Sequence, residues 1–215
     1  MKKKISNYIF FGYLALLLLI GVSIMIYFRV YLKNNATSRK EVRITNTTEN
    51  NDMKTIPPFN VLILNNQARV AVVESDSFAA DIDVSQLNYV NDTLYIDANQ
   101  DITLSVVELH NAVAQDESEL SLVSFENSTL KVDAQNQAEV DIVLPYLDSL
   151  YLKGADECQY NVTNANIKYM EIDLIGKTKL SIVGDVKLLK GSNGEDTEIG
   201  AIPKPREVEL TGKGI

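Results

Sequence analysis

Tryptophan is absent from this chain of 215 residues, and cysteine and histidine occur once each, as Cys158 and His110. A single cysteine excludes an intramolecular disulfide and leaves no CxxC pair from which a zinc cage could start. A single histidine forces any triad or zinc centre to form around position 110, and no G-x-S-x-G or comparable nucleophile turn accompanies it. Basic residues are scarce outside the N-terminus. Residues 1–33 hold five Lys or Arg and no acid, so residues 34–215 hold the other 15 bases and all 29 acids, a balance of −14 (15 − 29). That balance argues against a nucleic-acid-binding role, which needs lysine and arginine at phosphates, but is compatible with cations. Helical periodicity is missing too: beyond residue 58 no 12-residue stretch carries an apolar stripe of helical spacing.

One long apolar run is present. From Tyr8 to Phe28 no residue is charged, and these 21 residues would span about 31 Å as a helix, the thickness of a hydrocarbon core. Tyr8, Tyr13, Tyr27 and Tyr31 lie mostly near its ends, where amphipathic rings favour the interface. A cleaved signal peptide would have a shorter apolar core ending at small residues, whereas this run leaves through "MIYFRVYLK". The expectation is an uncleaved single-pass transmembrane helix within residues 1–33. Lys2, Lys3 and Lys4 flank it on one side and Arg29, Lys33, Arg39, Lys40 and Arg43 on the other. That count by itself mildly favours a cytoplasmic C-terminus, although long domains translocate despite such flanks.

Residues 34–58, rich in Asn and Thr and ending in a Pro pair, read as a polar linker. From Phe59 the pattern alternates with period two. "NVLILNN", "ARVAVVES", "ADIDVSQ", "DTLYIDA" and "DITLSVV" are strand candidates separated by polar turns. Further on the alternation recurs every 20 residues. Leu130, Leu150 and Met170 form one apolar column, and Val132, Leu152 and Ile172 the next. A second strand supplies Leu120, Val140, Tyr160 and Leu180, then Leu122, Ile142, Val162 and Ile182.

Two alternating strands per 20-residue period predict an all-β domain over 59–215, a parallel β-solenoid whose coils bury their apolar faces by stacking. Asp133, Lys153 and Asp173 should form an outward column of alternating charge, and Glu119 should lie beside Glu139. The period loosens later, with Leu188 expected in the Met170 column and Leu210 following 22 residues on. Gly154, Gly176, Gly191 and Gly212 are expected at corners that need positive φ.

The strand–glycine units "LYLKGADECQYNV", "IDLIGKTKLSIV", "LLKGSNGEDTEI" and "VELTGKGI", with "NDTLYIDAN" at 91–99, resemble the head GIN domain family over roughly residues 59–215. That family is common in Bacteroidetes and often labelled as autotransporter adhesins. The resemblance implies a right-handed β-helix on the exported side of a bacterial envelope, and it brings no catalytic residues. It outweighs the charge count in favouring an extracytoplasmic head.

His110 reads as a surface or turn residue and Cys158, in a column with Ala138 and Thr178, as a packed thiol. Asp116-Glu117, Asp156-Glu157 and Glu195-Asp196 fall in turns and could line one edge of the solenoid. None has a calcium-loop spacing, so they read as a solvated acidic edge, with 195–196 the first choice for a cation. Tyr89, Tyr95, Tyr146, Tyr151, Tyr160 and Tyr169 look too scattered for a sugar-stacking platform. No catalytic, cofactor-binding or metal-binding residue is assigned. The expectation is a non-enzymatic envelope binding or scaffold module, a monomeric head held at the membrane, facing a protein or glycan. The alternatives are a polysaccharide-active enzyme and a polymer stacked through open solenoid ends; the prolines of "AIPKPRE" argue against the polymer because they blunt an edge.

Overall fold

The computed structural model describes residues 53–97, 99–126, 129–143 and 146–212, so the expected membrane helix and residues 34–52 of the linker lie outside the described residues. No described helix is long and apolar enough to cross a membrane. The strands in chain order are β1 (Lys54–Thr55), β2 (Val61–Asn65), β3 (Arg69–Glu74), β4 (Ala79–Ala80), β5 (Asn88–Val90), β6 (Thr93–Asp97), β7 (Asp101–Val106) and β8 (Asn111–Ala114). They continue as β9 (Glu119–Val123), β10 (Thr129–Ala134), β11 (Glu139–Val143), β12 (Leu147–Gly154), β13 (Gln159–Leu174), β14 (Lys179–Asn193), β15 (Glu198–Ile202) and β16 (Glu207–Gly212).

Two parallel ladders build an all-β solenoid. One runs β6, β2, β8, β10, β12, the second half of β13, the second half of β14, β16. The other runs β7, β3, β9, β11, the first half of β13, the first half of β14, β15. Alternation decides which side chains meet between them. Leu130, Leu150 and Met170 stand in register, as do Leu122, Ile142 and Val162, and all are buried. Each fully buried aliphatic side chain contributes about 1.5–3 kcal/mol, and the next coil about 4.8 Å away supplies the cover that one coil lacks. Tyr160 fits among them because its hydroxyl donates to the carbonyls of Val132 and Lys153 on the facing ladder.

The order of coils departs from the order of the chain. The first coil, β2–β3, lies between β6–β7 and β8–β9, so the chain steps back beneath its own start before climbing. The stretch "ADIDVSQ", expected as a strand, keeps only its first residue, Ala80, in a ladder, as the end of β4, and then forms a 3-10 turn, Val84–Gln86, capped by the Asp83 carboxylate on the Ser85 N–H. Its alternation is real, since Ile82 and Val84 pack on the core, but they do so as part of a lid. The lid is antiparallel: β5 pairs with β6, β4 with β7, and β1 with β4. Lys54–Ile56, at the expected end of the linker, belong to it, with Ile56 buried and its N–H donating to Phe78.

The late drift of the repeat has one local cause. Asn164, at φ 54, has no counterpart in the following coil, where Val183 leads directly into Gly184. The step shrinks from 20 to 19, so Met170 meets Leu189 rather than Leu188, and Leu210 stands beside Gly191. The glycines divide as well. Gly176 sits at a corner with φ 66, whereas Gly191, at φ 133, and Gly212 lie inside strands. A Cβ on Gly191 would overlap the Ile172 carbonyl. Gly154 has no positive φ; a Cβ there would lie 2.9 Å from the Thr178 methyl, so it is limited by space.

Two urea-denaturation comparisons check this register. Ile142→Asp should cost about 4 kcal/mol or more, since it places an unpaired charge in the stack, while Asp141→Ser, one residue away and outward, should stay within about 0.5 kcal/mol. Gly191→Ala should cost about 2 kcal/mol or more, against less than about 0.5 kcal/mol for Gly200→Ala, where nothing lies within 4 Å of the added Cβ. Equal losses within either pair would show that the assigned faces are wrong.

Candidate functional site

The acidic turns do share one edge. After the first strand of a coil the chain reverses through two successive residues in the left-handed region: Asn66-Gln67, Asp116-Glu117, Asn136-Gln137 and Asp156-Glu157. Asn and Asp tolerate this conformation better than most residues, and each corner also hangs on the next by a backbone bond. Gln67 N–H donates to the Asp116 carbonyl, Glu117 N–H to Asn136 and Gln137 N–H to Asp156.

Because the 66–67 coil is inserted, amide and acid pairs alternate up the edge. Amides donate to their acidic neighbours: Gln67 Nε2 to Glu117 at 2.9 Å and Asn136 Nδ2 to Asp116 at 2.9 Å. Above them Lys177 binds Glu157 at 2.7 Å and holds its carboxyl below the usual glutamate range. That contribution to stability is present above the ordinary glutamate pKa and disappears as pH falls through the lowered value. Glu195-Asp196 occupy the turn of the next coil, where Asp196 adds to the raised pKa of Lys177 after the dominant Glu157 bond. Among the described residues, no group of three or more His, Cys, Asp or Glu is placed to hold a metal ion. The edge is a hydrogen-bonded ladder.

A second feature lies on the outer face of the β2–β16 ladder. Val61, Asn111, Lys131, Tyr151 and Glu171 stand in one outward column, and Ile63, Val113, Asp133, Lys153 and Asp173 in the next. These columns border a groove of about 450 Å³ that crosses β2, β8, β10, β12 and β13, parallel to the stacking axis. Short side chains on β2 and β8 open one end, and Tyr151 dominates the other. Its ring is held from two sides, by an edge-on contact with Tyr169 at 5.9 Å and by Lys131 Nζ, 5.7 Å from its centroid. Tyr169 in turn donates its hydroxyl to Glu171 at 2.6 Å, and that bond, with burial, pushes the phenol up to about 12. The groove therefore combines a fixed aromatic face with donors and acceptors of both charges.

The other nominated residues are apart from it. His110 is exposed on the connection between β7 and β8, where its backbone N–H donates to Asn60. Cys158 is buried, its Sγ 3.5 Å from Thr178 Oγ1, and burial pushes the thiol up despite that bond. Tyr160 is in the core and Tyr146 lies half exposed beneath Lys168. The pairing of Tyr151 with Tyr169 was missed because the two are diagonal neighbours, 18 residues apart, in a repeat read in columns of 20.

The sequence matches no family model and no curated protein. Among solved structures, a candidate adhesin from Bacteroides fragilis NCTC 9343 superposes with a TM-score of 0.51 at 13% identity, covering 76% of this chain and 92% of that one. The likeness is one of fold.

The alternation of amides and acids generates a prediction. Changing Asn136→Asp together with Gln137→Glu makes three adjacent acidic rows and removes the bond to Asp116. A loss of about 1–2 kcal/mol is expected in low salt, most of it recovered in high salt. A change that is absent, or insensitive to salt, would show that the rows do not feel one another.

Proposed function

We propose that the chain is a non-enzymatic binding module of a bacterial envelope, held by a transmembrane helix near residues 8–28 with its solenoid head on the extracytoplasmic side. The observation that carries the reading is the groove around Tyr151, a preformed recognition surface on a rigid parallel ladder. The apolar run at the N-terminus supports the anchor, and the strand–glycine units that resemble the head GIN domain family support the exported side. The description of the Bacteroides fragilis protein as a candidate adhesin agrees with an adhesive role. A monomeric head is favoured over an end-stacked polymer, because the antiparallel β4 and β5 cover one end of the parallel ladders and interrupt head-to-tail continuation.

The test uses the full chain in mild detergent and sedimentation with purified cell envelopes. The wild type and Asn161→Ala, altered on the opposite face, are expected to bind equally, and Tyr151→Ala with Lys153→Ala to lose at least about fivefold. Equal binding by all three, or none by the wild type, would overturn the proposal.

A further inference from the structure

The groove's direction and charge pattern constrain what can lie in it. It runs across the strands, so its contacts repeat with the coil spacing, and from β2 to β13 it covers about 19 Å at roughly 4.8 Å per coil. An extended peptide advances about 3.3 Å per residue and falls out of step with that repeat. Peptides that bind sheets also gain most from an open edge, whereas β10 and β12 are paired on both sides. A pyranose unit in an extended 1,4-linked chain advances by nearly one coil.

The walls select against uniform charge. One column offers Lys131, then Tyr151, then Glu171, and the facing one Asp133, Lys153 and Asp173. A polyanion meets three carboxylates and a polycation two ammonium groups, while a neutral chain of hydroxyls both donates and accepts at every coil. Toward the β13 end, the half-buried Tyr151 ring presents an apolar plane suited to the C–H face of a sugar, once Lys131 swings from its contact to a hydroxyl.

We infer that the groove binds a neutral, extended, 1,4-linked glycan lying parallel to the solenoid axis, with one sugar stacked on Tyr151 and its neighbours hydrogen-bonded by Lys131, Asp133 and Lys153. The inference rests on the binding reading above and names its ligand class.

Titration calorimetry of the full chain in detergent tests it, with β-1,4-linked hexamers of glucose and of N-acetylglucosamine, their dimers, and a 1,4-linked galacturonate hexamer as probes. At least one neutral hexamer should bind about tenfold or more tighter than its dimer and than the galacturonate hexamer. Tyr151→Ala should weaken it about tenfold, Tyr151→Phe should retain it, and Asn161→Ala should leave it unchanged. Tighter binding of the acidic hexamer, or equal binding of dimer and hexamer, would overturn the inference. So would envelope binding that depends on Tyr151 but is abolished by protease treatment of the envelopes and not competed by the neutral hexamers. That last outcome makes the occupant a protein and leaves the binding reading standing; loss of envelope binding itself would remove both.

Discussion

Parallel stacking of coil on coil is the constraint on which the molecule depends. A single coil has two short strands and one apolar face on each, too little to exclude water alone. Once Leu122, Ile142 and Val162 lie in register, each is covered by its neighbours and by the facing ladder, and the backbone bonds follow along the stack. Period-two alternation then forces the intervening residues outward at fixed spacing. Every surface feature is a consequence: Tyr151 and Lys131 are neighbours because Leu152 and Val132 are buried.

The same regularity creates problems that are solved locally. Glu119 stands beside Glu139 in the ladder, while other like charges are separated by a row of amides or answered by Lys177. Exposed pairs of this kind each contribute little, and together they keep the outer columns compatible with the register that the core demands. A deleted residue after Val183 is absorbed by Asn164 and Gly184 without loss of pairing beyond it. At one end the antiparallel β4 and β5, with Phe78, Ile82 and Leu87 packed on the core, close the ladders.

Recognition on such a scaffold differs from that in a cleft. The groove has a rigid floor of backbone and columns of side chains repeated at one interval, so the selectivity proposed for it rests on periodicity and charge sequence rather than enclosure. Its aromatic is set by Tyr169 and Lys131, themselves held by the ladder. The proposed recognition and the stability share one geometry.

From the amino-acid order alone came the all-β class, the 20-residue step, the inward set that includes Ile142 and Ile172, and the Asp133–Lys153–Asp173 column. These follow from period two and from a repeat, both properties of consecutive residues. The acidic turns were legible as turns, because paired polar residues interrupt each alternation. Folding settled what depends on contacts distant in the chain. The 61–74 coil sits above 93–106 because pairing energy in a stack is indifferent to chain order. The insertion places Asn66-Gln67 beneath Asp116-Glu117, 50 residues away, and turns an acidic edge into an alternating one. The one-residue contraction at Asn164 reassigns Leu188 and Leu189, since a bulge is visible only against its partner strand. Tyr151 and Tyr169 came into contact by the same logic: a column is read from the repeat, but a diagonal contact needs the twist and spacing of real strands.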